Sequence, residues 1–181
     1  MGEEKPAEWY TGKGSQKHIK KYMPLYLDVF GLIKENIGPG NRIVEMGCGI
    51  GTLAKLLFAN NYKNYLGFDF SSDMIEISKN ENPNQLFMQF DLRDADIKKY
   101  YTGCSHFICL EVLEHIKDDF AVLNLLPKGA MLFFSLPIND AKAHVRWFKK
   151  KEAIYDRYSS VINIQSCQKV GKWHLCKGII K

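Results

Sequence analysis

The residues after Glu45 carry the most informative spacing in the sequence, with Gly47, Gly49 and Gly51 at every second position. They follow a short apolar run and open a run with helical periodicity, which predicts a strand-to-helix turn. Glycines there let a ligand approach the backbone, and the helix N-terminus offers free N–H groups and partial positive charge. Thr52 stands where the dinucleotide fingerprint GxGxxG requires glycine or alanine. Glu45 would repel a pyrophosphate, but it suits a ligand that carries ammonium and sulfonium charge.

Two further carboxylates stand at the predicted ends of later strands. Asp69 ends the second predicted strand, 18 residues past Gly51, where a carboxylate can accept both hydroxyls of a ribose. Asp91 and Leu92 end the third predicted strand, where the edge of an adenine ring could lie. Together with the glycine turn, these residues predict a nucleoside site.

Glu111, Glu114 and His115 follow the fourth predicted strand and are spaced i, i+3 and i+4. On a helical turn, side chains at this spacing share one face. Such a group could supply a general base or metal ligands, and Glu111 and His115 are candidate catalytic residues. His144 follows the fifth predicted strand by a few residues.

Strand-like and helix-like segments alternate between these residues. Near-continuous apolar strands separated by helices predict an α/β fold, doubly wound and Rossmann-like, with a seven-stranded, mostly parallel sheet. Two strand-like runs at the end of the chain predict an antiparallel C-terminal hairpin. The predicted strands are Arg42–Met46, Tyr65–Phe68, Leu86–Phe90, Phe107–Leu110, Ala130–Leu136, Val161–Gln168 and Trp173–Ile180.

Helical periodicity and helix breakers divide the chain into three parts. A helix is predicted over 16–35, where Pro24 should kink or restart it. Shorter helices are predicted over 51–60, from Ser71 or Ser72 to Lys79, and over 118–126. We therefore expect an N-terminal helical cap (1–38), a cofactor-binding core (39–140), and a helix plus hairpin (141–181).

Length and composition fit one domain over residues 1–181. The chain is 46% hydrophobic and 25% charged, which excludes the disordered and low-complexity classes. No apolar run approaches the roughly 18–20 residues of a membrane span, and the charged N-terminus lacks the apolar region of a secretory signal. The five cysteines form no CxxC pair, which predicts reduced thiols rather than a zinc site or a disulfide framework. We therefore expect a cytoplasmic protein.

The basic residues are concentrated at the end of the chain. Residues 141–181 carry ten Lys/Arg and two Asp/Glu, whereas the remainder carries 15 and 18. A basic region of this kind could serve an acidic substrate, a nucleic acid or an anionic membrane surface. The alternative is a solvated lysine-rich face. The sequence does not indicate an oligomeric state.

Four motifs resemble, in order, those of the class I S-adenosylmethionine-dependent methyltransferases, over about residues 40–137. The resemblance implies that S-adenosylmethionine is the cofactor and S-adenosylhomocysteine its product. It also implies that Gly47, Cys48, Gly49 and Gly51 pack on the methionine part of the cofactor, with Glu45 near its ammonium group. The motifs are Val44–Gly51, Gly67–Ser71, Phe90–Leu92 and Leu110–His115.

The same resemblance implies roles for residues at the later strand ends. Asp69, followed by Phe70, would bind the ribose hydroxyls. Asp91 would bind the adenine amino group, and the Leu92 N–H would bind a ring nitrogen. The Leu110 carbonyl would face the methionine ammonium group.

The run from Glu111 to His115 is similar to that of ubiquinone-biosynthesis O-methyltransferases and of small-RNA 2′-O-methyltransferases. In those families the positions of Glu111, Glu114 and His115 ligate a divalent cation such as Mg²⁺, whereas many relatives with a similar run use no metal. The segment that begins at His144 resembles an element over the acceptor pocket in the small-molecule branch. This resemblance makes His144 the first candidate for a general base, or for a ligand beside His115. The alternative for His144 is a helix cap or a surface position. An N-terminal element with aromatic residues would cover the cofactor; its aromatics are Trp9, Tyr10, Tyr22 and Tyr26.

These features favour methyl transfer to a small-molecule acceptor, most readily at oxygen. No Asn-Pro-Pro-Tyr or Asp-Pro-Pro-Tyr run follows the fourth strand, which argues against the amino methyltransferases of nucleic-acid bases and protein glutamine. Two alternatives stay open. One is an RNA or protein methyltransferase that uses the basic region, including Lys149–Lys151, and the other is a non-catalytic subunit that binds S-adenosylmethionine.

Overall fold

The computed structural model describes residues 2–11 and 15–181. The strands are β1 (Ile43–Met46), β2 (Tyr65–Asp69), β3 (Leu86–Gln89), β4 (His106–Leu110), β5 (Met131–Pro137), β6 (Ile162–Val170) and β7 (Trp173–Ile180). The α-helices are α1 (Ser15–Asn36), α2 (Thr52–Ala59), α3 (Ser72–Glu81), α4 (Lys98–Tyr101), α5 (Asp119–Leu123) and α6 (Glu152–Tyr158). Within the described residues, no helix is long and apolar enough to cross a bilayer.

All seven strands join one sheet in the order β3-β2-β1-β4-β5-β7-β6. The first five strands pair in parallel, and β7 pairs antiparallel with both β5 and β6. This arrangement confirms the predicted doubly wound fold with its C-terminal hairpin. The strand order reverses between β1 and β4, and a crevice for ligands forms at such a switch point in open α/β sheets.

The central strands are apolar on both faces because helices cover both sides of the sheet. In β4, Phe107 and Cys109 pack into one core, whereas Ile108 and Leu110 pack into the other. Helices α1, α2 and α3 contribute to the second core, and α4, α5 and α6 to the first. Full burial of a side chain such as Phe107 contributes about 1.5–3 kcal/mol, so the two cores hold the strand ends in fixed positions.

Two helices differ from the sequence-based expectation. Helix α1 runs unbroken from Ser15 to Asn36, so the predicted restart at Pro24 is wrong. Pro24 is exposed, and water can therefore satisfy the carbonyl group that its missing N–H leaves free. Helix α5 is shorter than predicted and ends at Leu123, while Asp118 caps its N-terminus by accepting from Ala121 N.

Candidate functional site

A cavity of about 650 Å³ opens at the carboxyl ends of the parallel strands. The loops after β1 to β5 line it, together with residues 4, 5 and 9–11 and part of α1. Most of the residues predicted from the sequence lie on its wall. They are Gly47, Cys48, Gly49, Asp69, Phe70, Asp91, Leu92, Leu110, Glu111, His115 and His144.

The glycine turn after β1 has a different structural requirement at each position. A Cβ on Gly47 would lie 2.2 Å from Val112 Cγ2, whereas nothing lies within 4 Å of a Cβ on Gly49. Gly51 does not line the cavity, and a Cβ there would lie 2.6 Å from Asn82 Nδ2 on the α3 side. All three glycines have a positive φ. The turn therefore packs tightly against the protein at Gly47 and Gly51 and presents an open backbone to the cavity at Gly49.

Asp69 is fixed at the end of β2 by two backbone N–H groups. Its Oδ2 accepts from Gly49 N (2.9 Å) and its Oδ1 from Ser71 N (3.0 Å). Burial raises the pKa of Asp69, and these hydrogen bonds oppose the shift. Each oxygen can accept a second bond, so the carboxylate can receive a pair of ligand hydroxyls. Tyr10 lies beside this site, with its ring 5.2 Å from the Phe70 ring.

Asp91 and Leu92 border the cavity after β3. The Asp91 carboxylate accepts from Arg93 Nε (3.0 Å) and Nη2 (2.7 Å). The Arg93 hydrogen bond lowers the pKa of Asp91, so this carboxylate stays charged. Arg93 Nη1 also donates to Glu4 Oε1 (2.7 Å), which ties the N-terminal segment to this side of the cavity.

Glu45 lies behind the cavity wall rather than on it. The side chain is 3% exposed, and its carboxylate accepts a hydrogen bond from the Tyr65 hydroxyl. Burial disfavours the charged form and raises the pKa of Glu45 to about 8, while the bond from Tyr65 lowers it. Glu45 is therefore a buried carboxyl group behind the cavity wall, and its raised pKa favours the neutral form.

Glu45 is expected to make stability depend on pH. The folded pKa of about 8 lies above the value of about 4.3 in an unfolded chain, so folding favours the protonated form. The stabilisation that protonated Glu45 gives to the folded state is complete at low pH and is lost as the pH rises towards 8. Glu45→Gln keeps an acceptor for Tyr65 and removes the titration. It should flatten the fall in unfolding free energy between about pH 5 and 8, by at most about 1.4 kcal/mol per pH unit.

Chemical unfolding of both proteins across that pH range checks this expectation. Glu76→Gln is the matched control, because Glu76 is exposed on α3 and should leave the slope unchanged. If the unfolding free energy of wild type and of Glu45→Gln changed equally with pH, Glu45 would not be the group that titrates.

Glu111 has an unusual backbone conformation and a fixed side chain. Its φ is +58°, which is uncommon for a residue other than glycine. Its backbone N donates to Ser135 Oγ (2.9 Å), and Ser135 Oγ donates to its Oε1 (2.9 Å). Trp173 Nε1 donates to Oε2. Burial raises the pKa of Glu111 to about 7, and the bonds from Ser135 and Trp173 lower it.

The expectation that Glu111, Glu114 and His115 share one helical face is wrong. Residues 113–115 form a single 3-10 turn, and the left-handed backbone at Glu111 directs its carboxylate to β5 and β7 instead. Sequence reasoning missed both partners of Glu111, Ser135 and Trp173, because they follow it by 24 and 62 residues. Neither residue stands in a motif that indicates the contact.

The structure instead groups Glu114 with His115 and His144. One potential ligand atom from each lies within 4.8 Å of the others, and the two imidazole rings are 5.1 Å apart. Glu114 is fully buried, and neither of its carboxylate oxygens accepts a hydrogen bond among the described residues. Burial and the nearby Glu111 carboxylate raise the pKa of Glu114.

Both histidines present an unprotonated nitrogen. His115 Nδ1 lies 3.0 Å from the Ala143 carbonyl oxygen and His144 Nδ1 lies 3.3 Å from that of Asn139. A carbonyl only accepts, so Nδ1 carries the proton in each neutral ring and Nε2 keeps a free lone pair. Burial lowers the pKa of His115 to about 4 and also lowers that of His144.

Arg146 holds the loop after β5 against the loop after β4. Its guanidinium donates to the carbonyl oxygens of Leu113, Ile116 (2.6 Å) and Lys117 (2.7 Å). It also lies 3.2 Å from the buried Asp119 carboxylate. These bonds fix the position of the His144 loop relative to His115. Sequence reasoning did not single out Arg146 or Asp119.

Aromatic and basic side chains surround the mouth of the cavity. Trp9 is 49% exposed, and all four N-terminal aromatics predicted from the sequence line the cavity. Tyr22 packs on Trp173 with ring centroids 5.3 Å apart. Lys21 and Lys142 also line the cavity and are exposed.

Comparison with known proteins gives the family. Residues 16–172 match the family described as "Methyltransferase domain", which is most of the chain. A ubiquinone biosynthesis O-methyltransferase of Haemophilus ducreyi is 27% identical over 148 residues, covering 76% of this chain and 62% of that protein. The chain thus spans about three fifths of the length of the curated relatives it matches.

Solved structures share the fold. Magnesium protoporphyrin IX methyltransferase from Synechocystis PCC 6803 with bound SAM has a TM-score of 0.68 at 16% identity, covering 97% of this chain and 95% of that one. The methyltransferase domain of a bacterial Hen1 has a TM-score of 0.69 at 17% identity, covering 87% and 97%. The chain therefore belongs to the methyltransferase domain family, and it shares its fold with these methyltransferase structures.

Proposed function

We propose that the chain transfers a methyl group from S-adenosylmethionine to an oxygen of an acidic small molecule. The observation that carries this proposal is a single cavity lined by the glycine turn, by Asp69 and by the neutral His144. The curated relatives named as O-methyltransferases support oxygen as the acceptor atom.

The cavity wall fits the cofactor. Gly49 leaves open space where a side chain would stand, and Asp69 is oriented by two N–H groups with lone pairs to spare. S-adenosylmethionine, when bound, supplies an activated methyl group on a sulfonium sulfur. We assign Asp69 to the ribose hydroxyls and Asp91 with Leu92 to the adenine.

Three further residues are assigned to the methionine end. Gly47 and Cys48 line this part of the wall, and the carbonyl of Leu110 is assigned to the ammonium group. For these residues the assignment rests on the family resemblance and on their position in the cavity.

His144 is the residue we assign as general base. Its Nε2 has a free lone pair, and the residue lines the same cavity. A base is most effective when its pKa lies near the working pH, and the pKa of about 4 for His115 makes that residue the weaker candidate. Both Glu111 oxygens already accept hydrogen bonds, so Glu111 is assigned to orienting the wall rather than to taking the acceptor's proton.

The cations at the cavity mouth favour an acceptor that carries a carboxylate. Within residues 2–11 and 15–181, Lys142 forms no ion pair with a carboxylate, and Lys21 Nζ donates to the Tyr22 hydroxyl (2.9 Å). Lys21 lies close enough to lower the pKa of Glu111. An acidic group on the acceptor would therefore meet the positive charge of these lysines at the mouth of the cavity.

Lys142→Gln is expected to raise KM about 3- to 10-fold for a carboxylate acceptor and to leave kcat unchanged, because a partly exposed ion pair contributes about 0.5–1.5 kcal/mol. When the carboxylate of the acceptor is replaced by a neutral amide, the same substitution should leave KM unchanged. Lys128→Gln is the control, because Lys128 is exposed at the amino end of β5. Steady-state kinetics with both acceptors measures these KM values. An equal rise in KM for the acid and the amide would contradict a role for the lysine charge.

A bound divalent cation is the alternative to a general base. Glu114, His115 and His144 are close enough to share an ion, and among the described residues neither carboxylate oxygen of Glu114 accepts a hydrogen bond. Two imidazoles suit Zn²⁺, Co²⁺ or Ni²⁺ better than Mg²⁺, which prefers oxygen ligands. Methyltransferase activity that persists in the presence of a chelator would support His144 as a general base. Activity that the chelator abolishes and an added divalent ion restores would support a metal at this site.

The basic region favours the second candidate function, methylation of an RNA. Lys149–Lys151, Lys169 and Lys172 are all exposed. The Lys172 carbonyl accepts from Ile138 N (2.9 Å), which places the hairpin turn beside the carboxyl end of β5. An RNA acceptor predicts binding whose affinity falls steeply with salt.

A methylation assay tests the proposed function. S-adenosylmethionine labelled in its methyl group is incubated with phenols and catechols that carry a carboxylate, with their neutral amides, and with amines. The expected result is label on oxygen of an acidic acceptor, with one S-adenosylhomocysteine per product. Label on amines alone would overturn the choice of oxygen. Cofactor binding without any product would favour the non-catalytic subunit.

A further inference from the structure

The C-terminal hairpin places two cysteines side by side. Cys167 in β6 pairs directly with Cys176 in β7, and their sulfur atoms are 2.8 Å apart. Cα atoms of directly opposed residues in an antiparallel pair are about 4.5–5.5 Å apart, within the range that a disulfide spans. The two thiols can therefore be bridged without moving either strand.

The two thiols differ in access to solvent. Cys176 is fully buried, whereas Cys167 is partly exposed. A hydrogen bond from the Cys176 thiol lowers the pKa of Cys167, and Lys151 lowers it further, while burial and Glu152 raise it. The pKa of Cys176 is raised by that same bond and by burial. Cys167 is thus the accessible, more acidic thiol, and Cys176 lies directly behind it.

We propose that Cys167 and Cys176 form a redox-active dithiol, a modification site that reacts with small-molecule disulfides and binds trivalent arsenicals. The other three cysteines, Cys48, Cys104 and Cys109, are all buried. This inference is independent of the methyl acceptor.

The reaction with glutathione disulfide balances in two exchange steps. The Cys167 thiolate attacks one sulfur of glutathione disulfide, which forms a mixed disulfide and releases one glutathione thiolate. Cys176 then gives up its proton and attacks the Cys167 sulfur, which releases the second glutathione. The protein loses two electrons and two protons, and glutathione disulfide is reduced to two molecules of glutathione.

The cross-link would strengthen the edge of the sheet that supports Glu111. Cys176 pairs with Phe134 in β5 as well as with Cys167, and Trp173 on the same strand donates to Glu111. Closing a loop of about ten residues restricts the unfolded chain. The oxidised protein should therefore melt about 5 °C higher than the reduced one.

Intact-mass analysis after incubation with excess glutathione disulfide tests the proposal. The wild type should lose two hydrogens and two alkylatable thiols and retain no glutathione. Cys176→Ala should retain one glutathione on Cys167, and Cys167→Ser should not react. A wild type that keeps glutathione, loses thiols at the other cysteines, or forms no disulfide would overturn the proposal.

A second probe needs no change at the buried position. Phenylarsine oxide bridges two adjacent thiols, so the reduced wild type should bind one molecule per chain. Cys167→Ser, altered at the partly exposed member of the pair, should bind none. Equal binding by both proteins would also overturn the proposal.

Discussion

Asp69→Ala is expected to weaken binding of S-adenosylmethionine at least about 100-fold. Hydrogen bonds to a charged acceptor contribute about 1.5–3 kcal/mol each, and the substitution removes two that are assigned to the ribose. It also leaves Gly49 N without the acceptor that holds the turn in place. Calorimetric titration of wild type and variant with the cofactor measures the change directly.

The matched control for this substitution is Asp73→Ala. Asp73 is exposed in the first turn of α3, four residues from Asp69, and its loss should leave cofactor affinity unchanged. A thermal melt of each variant separates loss of binding from loss of folding. Unchanged affinity in a folded Asp69→Ala would remove Asp69 from the cofactor site.

His144→Ala is expected to lower kcat by about 100- to 10,000-fold, the range typical of a general base. KM for the acceptor should change little, because the assigned role is proton transfer and not binding. Burial lowers the pKa of His144, so the active, neutral form should persist below the usual histidine range. The wild-type kcat is therefore expected to fall only below that range, and the variant should lose this pH dependence.

Steady-state kinetics across pH for wild type, His144→Ala and His106→Gln completes this test. His106 begins β4 at the amino end of the strand, away from the cavity, and its substitution should leave kcat unaltered. A rise in KM alone for His144→Ala would make His144 a binding residue. An unchanged kcat would end its assignment as a base.

The strands could be predicted because burial on both faces makes them short, continuous apolar runs. The bounds of β7, Trp173–Ile180, are confirmed, and so is Ser71 as the N-cap of α3. The glycine turn and Asp69 could also be placed, since the end of a parallel strand fixes where the next residues emerge. These features depend on local pattern and strand order alone.

The orientation of Glu111 could not be predicted in the same way. Its left-handed backbone and its bonds to Ser135 and Trp173 depend on how β4, β5 and β7 meet. The bonds from Arg146 to the loop after β4 likewise join residues about 30 positions apart. Spacing along the chain indicated which residues could act, and tertiary packing decided which of them meet.

The unbroken α1 and the buried Glu45 illustrate two other limits. Proline lowers helix propensity, but the packing of Leu25 and Val29, both 0% exposed, holds the helix through Pro24. Glu45 was expected beside a ligand because of its charge. In the structure, Glu45 is buried, and its carboxyl group accepts a hydrogen bond from the Tyr65 hydroxyl on the neighbouring strand.

A crystal structure of the chain with S-adenosylhomocysteine tests the central claim most directly. We expect the homocysteine part against Gly49, the ribose hydroxyls on Asp69, the adenine beside Leu92, and the sulfur facing the side of the cavity that holds His144. A ligand bound elsewhere, or one whose sulfur faces away from His144, would contradict it.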